Sequence, residues 1–309
     1  MRSALAALML CCLPCGPGPA NAASFDCASA ASRIEHMICA DAALSMADSA
    51  LGTVFTGALA ASPHPQALRA DQRQWIASKR DKAATPNELM SACQTRTADL
   101  RRQVADWQAI RQSVGATPPG TCLKLMDGEN AVCAVTEAGV LTGAPGGALR
   151  YRMQTWRDGD NTTGTGIIVL AGDGTDPQPV TWSADVDTNY DAPKILPTPH
   201  GTFLDLPGYV SGTGNVSAET LFVFRDGGWH EVDITAWLDQ LGARLPKAIG
   251  AWKGIYPDWR AMTAHTPLWR DGDGNCCPHA GSATVTLRLD RDRIVLVSLR
   301  VSSQPLPDE

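Results

Sequence analysis

Near its C-terminus the chain reads RDGDGNCCPHAG, from Arg270 to Gly281, and several chemistries compete for those residues. Asp271, Asp273 and Asn275 offer oxygen ligands at positions 1, 3 and 5 of a calcium loop. Cys276 stands where that loop needs its turn glycine, and Ser282 where it needs its last acidic ligand. Asp185, Asp187 and Asn189 repeat the D-x-D-x-N pattern, also without the glycine. Asp, Asn and Gly are the ordinary residues of turns, so acidic turns are the preferred reading and calcium the lesser one. Cys276 and Cys277 can close on each other only as a strained, easily reduced ring; otherwise each bonds elsewhere. No C-x-x-C is present beyond residue 22, which disfavours dithiol catalysis, and a zinc site needs more ligands than His279. A staple shaping the loop is the reading adopted, with no cofactor expected.

A second stretch, LPGYVSGTGN from Leu206 to Asn215, suits recognition. Tyr209 offers contact area at little entropic cost, and Ser211, Gly212, Thr213 and Asn215 offer adaptable hydrogen bonding on a glycine-rich backbone. Tyr256, Asp258 and Trp259 form a second candidate patch, for which burial competes. Signatures of common enzymes are missing. There is no G-x-S-x-G, no H-E-x-x-H, no Walker loop and no dinucleotide-binding glycine pattern. The six histidines are scattered without metal spacing. A non-enzyme is expected.

The elements that carry these residues fall into two halves. Leu44, Leu51, Phe55, Ala58 and Leu59 recur at helical spacing after Asp41. Leu68, Gln72, Trp75 and Lys79 do so after Ser62-Pro63-His64-Pro65, and Cys93, Leu100, Val104, Trp107 and Ile110 before Gly115. Beyond Ala116-Thr117-Pro118-Pro119-Gly120, a stiff linker, short strand patterns alternate with Gly, Asp, Asn and Pro. Thr165–Leu170, Val180–Ser183, Thr220–Phe224, Ala283–Leu289 and Ile294–Val301 are the clearest, with one short helix over Ile234–Leu241. The expected fold is α+β in two domains, a small helical bundle and then a mainly antiparallel β domain, sandwich or propeller-like. The boundaries read as 1–22 signal peptide, 23–113 helical domain, 114–121 linker and 122–309 acidic β-rich domain.

Arg2, the apolar run Ala4–Leu13 and Ala20-Asn21-Ala22 have the form of a secretory leader. Lipidation at Cys15 is disfavoured because Pro14 precedes it. The mature chain is expected in the periplasm, with no membrane span. Seven of the ten cysteines lie beyond the leader, and an oxidising compartment makes them a disulfide framework with one left over. From Val114 onward fifteen Lys/Arg face twenty-three Asp/Glu, against ten and nine in Ala23–Ser113. That acidic half is a poor nucleic-acid binder and a plausible partner for a basic protein.

The stretches FDCASAASRIEHMICADAALSMADSAL, QRQWIASKRD and SACQTRTADL resemble the lysozyme inhibitor LprI-like N-terminal domain family. The matching positions are Cys27, Glu35, Ile38, Cys39, Asp41, Leu44, Asp48, Gln72, Trp75, Arg80, Cys93 and Arg96. They are read as mainly structural. The family's further cysteine after the Arg-Asp pair is absent, Lys82-Ala83-Ala84 standing there instead. If Cys27 and Cys39 flank one helix rising ~1.5 Å per residue, they lie too far apart for the ~7 Å a disulfide tolerates. One of them is then expected to pair with Cys93. Cys122 and Cys133 could close a hairpin around Asp127–Asn130.

The stretch GIYPDWRAMTAHTPLWRDGDGNCCPHAG is similar to a region of periplasmic immunity proteins of bacteria-killing type IV secretion systems. Both resemblances imply a proteinaceous inhibitor of a lysozyme-like or other peptidoglycan-degrading enzyme, protecting the cell wall. An envelope binding or scaffold module, calcium-stabilised in one form, is the alternative.

Overall fold

The computed structural model describes residues 23–118, 120–125, 132–159, 161–172, 177–210, 216–251, 254–274 and 276–305. The expected leader, including Cys15, lies outside them, as do Pro119, Asp127–Asn130, Ser211, Gly212, Thr213, Asn215 and Asn275. The described residues form a helical N-terminal region followed by a mainly antiparallel β region, as expected. The helices are α1 (Arg33–Ala40), α2 (Ala42–Ala61), α3 (Pro65–Ser78), α4 (Pro86–Ala116) and, within the β region, α5 (Ala236–Arg244). The fold divides into two compact units, and the division falls inside helices. Described residues up to Gly57 with Trp75–Arg101 form the first; Ala58–Gln74 with those from Arg102 onward form the second.

In the first unit, short polar signals set the helix ends. Ser32 Oγ accepts the Glu35 amide at 3.1 Å, and Glu35 Oε2 accepts the Ser32 amide at 2.7 Å. This reciprocal cap starts α1 at Arg33, and the same backbone bonds hold the Glu35 carboxyl below its ordinary range. Asp41 caps α2 through the amides of Ala43 and Leu44. Proline at the first position, where the amide is orphaned in any case, opens α4 at Pro86. Ile34, Ile38, Leu44, Leu51, Leu89 and Leu100 are buried in this unit. By length and composition α2 could cross a membrane. Its Asp48 is nonetheless buried, accepting the Ser24 amide at 2.9 Å and the Ser24 hydroxyl at 2.5 Å.

The cysteine pairing departs from expectation. Cys27 and Cys39 are bonded, with Cα atoms 5.7 Å apart, and Cys93 is the buried free thiol. The reason is local. Cys27 belongs to a separate 3-10 turn, Cys27–Ser29, and extended residues at Ala30 and Ser32 turn the chain back before α1 begins. Cys27 thus returns beside the end of α1 instead of lying one helix away. Burial pushes the Cys93 thiol up to about 11, so it is inert as a nucleophile at neutral pH. Replacing Cys27 and Cys39 together by serine is expected to lower unfolding stability by about 3 kcal/mol, the loop-closure value for a span of this length. Urea unfolding of the two proteins would measure it.

In the second unit α4 continues past the end expected before Gly115. Trp107, Ile110 and Val114 pack with Leu123, Ile168, Leu170 and Trp182. The strands open with β1 (Val132–Leu141), β2 (Leu149–Asp158), β3 (Asn161–Ala171) and β4 (Gln178–Asp185), an antiparallel sheet in that order. Then come β5 (Thr188–Tyr190), β6 (Lys194–Thr198), β7 (Gly201–Leu206), β8 (Gly208–Val210), β9 (Val216–Ser217), β10 (Thr220–Arg225) and β11 (Gly228–Val232). β12 (Ile249–Gly250), β13 (Tyr256–Asp258), β14 (Thr263–Pro267), β15 (Trp269–Arg270), β16 (Ser282–Asp290) and β17 (Arg293–Ser302) follow α5. β11-β10-β7-β6 and β13-β14-β16-β17 form two further four-stranded sheets, while β5-β8-β9 and β12-β15 are small ones.

Side-chain alternation makes these sheets a stack. Ile167 and Val169 of β3 face a core with Leu204, Leu206 and Phe222, while Ile168 and Leu170 face the α4 side. Phe203 of β7 points the other way, into a core with Leu221, Trp237, Trp259, Val285, Ile294 and Leu296. Each fully buried side chain of this size contributes roughly 1.5–3 kcal/mol. The β10–β11 turn puts Asp226 and Gly227 at φ 50° and 78°, the left-handed pair that matches strand twist in two-residue hairpins. The Cys122–Cys133 bond ties the segment after α4 to β1.

Candidate functional site

Tyr209 sits in the middle of β8, the central strand of its small sheet, directly opposite Asn189 on one side and Ser217 on the other. Directly opposite residues of antiparallel strands share a face, so Asn189, Tyr209 and Ser217 form one row, with Tyr209 39% exposed. Gly208 lets this strand lie close to its neighbours. A Cβ there would meet the Ala218 carbonyl oxygen at 3.0 Å and the Tyr190 ring at 3.3 Å. Tyr190 is anchored behind, its hydroxyl donating to Ser183 Oγ at 2.8 Å, and burial raises its pKa.

After Ser217 and Ala218 the chain enters a cleft of about 560 Å³ at Glu219 and Thr220. His64 and Gln66, flanking the start of α3, meet β4 and β11 there. His64 Nε2 lies 2.7 Å from the Trp182 carbonyl oxygen, which can only accept, so Nε2 carries a proton. His64 Nδ1 lies 3.4 Å from Glu231 Oε1. The Gln66 amide donates to Glu231 Oε2 at 2.6 Å, and Gln66 Nε2 donates to Asp292 Oδ2 at 3.2 Å. Glu231 is only 8% exposed, and its charge sits at the N-terminus of α3, where the helix dipole favours it. Asp233 Oδ1 accepts the amides of Thr235 and Ala236, capping α5.

Glu219 Oε1 accepts the Trp259 indole N–H at 2.6 Å. Behind it stands Asp205, 6% exposed. Burial first, then the neighbouring Glu219 charge, pushes the Asp205 carboxyl up to about 8. Asp205 therefore keeps its proton at neutral pH beside Glu219.

The Arg270–Gly281 loop is ordered by its own carboxylate. Asp273 Oδ2 accepts the Arg270 and His279 amides at 2.8 and 3.0 Å, and Oδ1 lies 3.2 Å from His279 Nδ1. These bonds lower the Asp273 pKa. Asp271 is exposed in the preceding turn. Among the described residues no group of three or more His, Cys, Asp or Glu is placed to hold a metal; Asn275 lies outside them. Asp185 likewise closes a turn, through the Asp187 amide.

Cys276 and Cys277 bond to each other, both exposed, with Cα atoms 3.8 Å apart. That separation lies below the usual disulfide range. This bond is expected to reduce first. At a thiol concentration that leaves Cys27–Cys39 and Cys122–Cys133 intact, alkylation followed by mass spectrometry should label Cys276 and Cys277 alone.

The remaining motif residues lie on helices. Gln72 is buried and Trp75 half-buried on α3; Cys93 and Arg96 are buried on α4. Arg80 Nε donates to Asp81 at 3.0 Å. Of the second candidate patch, Trp259 is buried against Glu219, and Asp258 accepts the Arg260 and Ala261 amides. Sequence reasoning missed His64, Gln66, Asp205, Glu219, Glu231 and Asp233, because the partners come from distant segments with no local motif.

A family model, Lysozyme inhibitor LprI, matches residues 26–103, a quarter of the chain. It covers α1, α2, α3 and most of α4, and none of the β region. No curated protein matches the chain. The match supports a lysozyme-inhibitor role in general, and an inhibitor rather than an enzyme.

Proposed function

We propose that this protein is an exported inhibitor of a lysozyme-like peptidoglycan hydrolase, of the immunity type that protects the cell's own wall from the periplasm. The observation that carries the reading is the match of residues 26–103 to the lysozyme inhibitor family. The three disulfides among the described residues support an oxidising, extracytoplasmic address, and so does the leader-like composition of residues 1–22. The acidic β-rich half supplies a surface complementary to a basic enzyme.

The exposed Tyr209 row is the contact we assign to the enzyme. A tyrosine flanked by small polar side chains fills a polar groove without much loss of rotamer freedom. Tyr209→Ala is expected to weaken the complex about tenfold or more, the scale of an aromatic anchor. The test is a binding titration of wild type and variant against one hydrolase that the protein inhibits. Unchanged affinity would remove Tyr209 from the interface.

A further inference from the structure

The cleft between α3, β10 and β11 lies within the second unit, and its volume of about 560 Å³ suits a side chain or small ligand. Asp71, Glu219, Glu231 and Asp233 line it and, among the described residues, no lysine or arginine does. Three of these carboxylates are fixed by donors from the protein. Glu231 is held by the Gln66 amide, Glu219 by the Trp259 indole, and Asp233 by the amides of Thr235 and Ala236. Arg225 lies 3.9 Å from Asp292, which also accepts from Gln66. Fixed carboxylates in a concave, partly dry site focus their field and attract positive charge.

The arrangement favours an organic cation over a metal. The carboxylates already accept N–H groups, and no metal-holding cluster exists among the described residues. Carboxylates spread along a cleft wall are met better by a planar guanidinium with five donors than by a point-like ammonium. Thr220, Thr235 and Ser183 add hydroxyls to the lining, and Ala67, Ala70 and Ile234 give apolar surface for a methylene stem.

We propose that this cleft is a socket for an arginine side chain projecting from a basic protein partner. The identity of that partner rests on the inhibitor reading above; the socket's own chemistry does not.

The experiment uses two probes on the oxidised chain, acetyl-arginine amide and its uncharged counterpart acetyl-citrulline amide, followed by amide NMR shifts. The expected result is saturable shifts at Gln66, Asp233 and Thr235 with the arginine probe, at least about fivefold weaker binding of citrulline, and loss on raising salt. Glu231→Gln should weaken the arginine probe. Because Glu231 also anchors α3, Asp71→Asn provides a second variant at an exposed residue, with the same direction expected. Equal binding of the two probes, or an arginine affinity unmoved by Asp71→Asn, would overturn the socket. Hydrolase inhibition that persists in Asp71→Asn and in excess arginine probe would overturn it while leaving the inhibitor reading standing. Arginine binding by a protein that inhibits no hydrolase would do the reverse.

Discussion

Asp205→Asn is expected to unfold at a higher temperature than the wild type at pH 8, and the advantage should vanish near pH 4. Asp205 lies on β7 opposite Leu221 and Lys194, almost fully buried, with Oδ1 unpartnered among the described residues. Its folded-state pKa of about 8 stands far above an unfolded aspartate near 3.9. Below about pH 4 both states carry the proton, and the contribution to stability is fully present. As pH rises the unfolded chain gives up its proton while the folded chain keeps it, so stability falls until Asp205 itself ionises near pH 8. Asparagine cannot ionise. The gain at pH 8 should be about 3 kcal/mol, below what the full shift would give at 1.36 kcal/mol per pH unit, since the amide leaves buried polar atoms to satisfy. Glu35 and Asp273, with lowered pKa values, act oppositely: their stabilisation is present above the unfolded pKa and lost as pH falls. They are common to both proteins, so the difference between the two pH profiles isolates Asp205. Parallel profiles would refute the assignment.

Gly281→Ala should destabilise the second unit by about 3 kcal/mol or more. Gly281 has φ 89°, a region that costs a side-chain-bearing residue ~1–2 kcal/mol. A Cβ there would also stand 2.0 Å from the Ser302 carbonyl oxygen and 2.9 Å from the Ser303 backbone. Relief requires parting β16 from β17 at Ser282 and Ser302, where the two pair, and overpacking of this kind adds ~1–3 kcal/mol. Gly227→Ala is the control. Its φ is 78°, but nothing lies within 4 Å of the added atom, so only the backbone cost of ~1–2 kcal/mol remains. Denaturant unfolding of both variants checks the claim, and equal losses would contradict it.

The parts of this fold legible in the sequence were those with strong local periodicity. Ile167–Leu170 reads as one apolar run because both faces of β3 are covered, by the Phe222 core and by α4. The Cys27–Cys39 bond was missed although its signal was present. Ser32-Arg33-Ile34-Glu35 is a capping box that starts the helix six residues after Cys27, and reading it would have removed the objection to pairing. The end of α4 was placed too early because Gly115 and Pro118 look like a stop, whereas Val114 packs against β3 and β4 residues and carries the helix on. The cleft was not legible. Gln66 and Glu231 are separated by 165 positions, and Gln66 and Asp292 by 226, so only tertiary structure brings them together. Tyr209 stood out in the sequence by composition alone, a tyrosine among glycines. Its pairing with Asn189 and Ser217 came only from the register.

The most direct test of the central claim is a titration of peptidoglycan hydrolysis with the purified, oxidised protein, run against each main class of lysozyme and any hydrolase encoded beside it. The account predicts that one enzyme loses activity linearly with added protein until an equivalence point near one to one. Full activity of every enzyme at micromolar excess would contradict it.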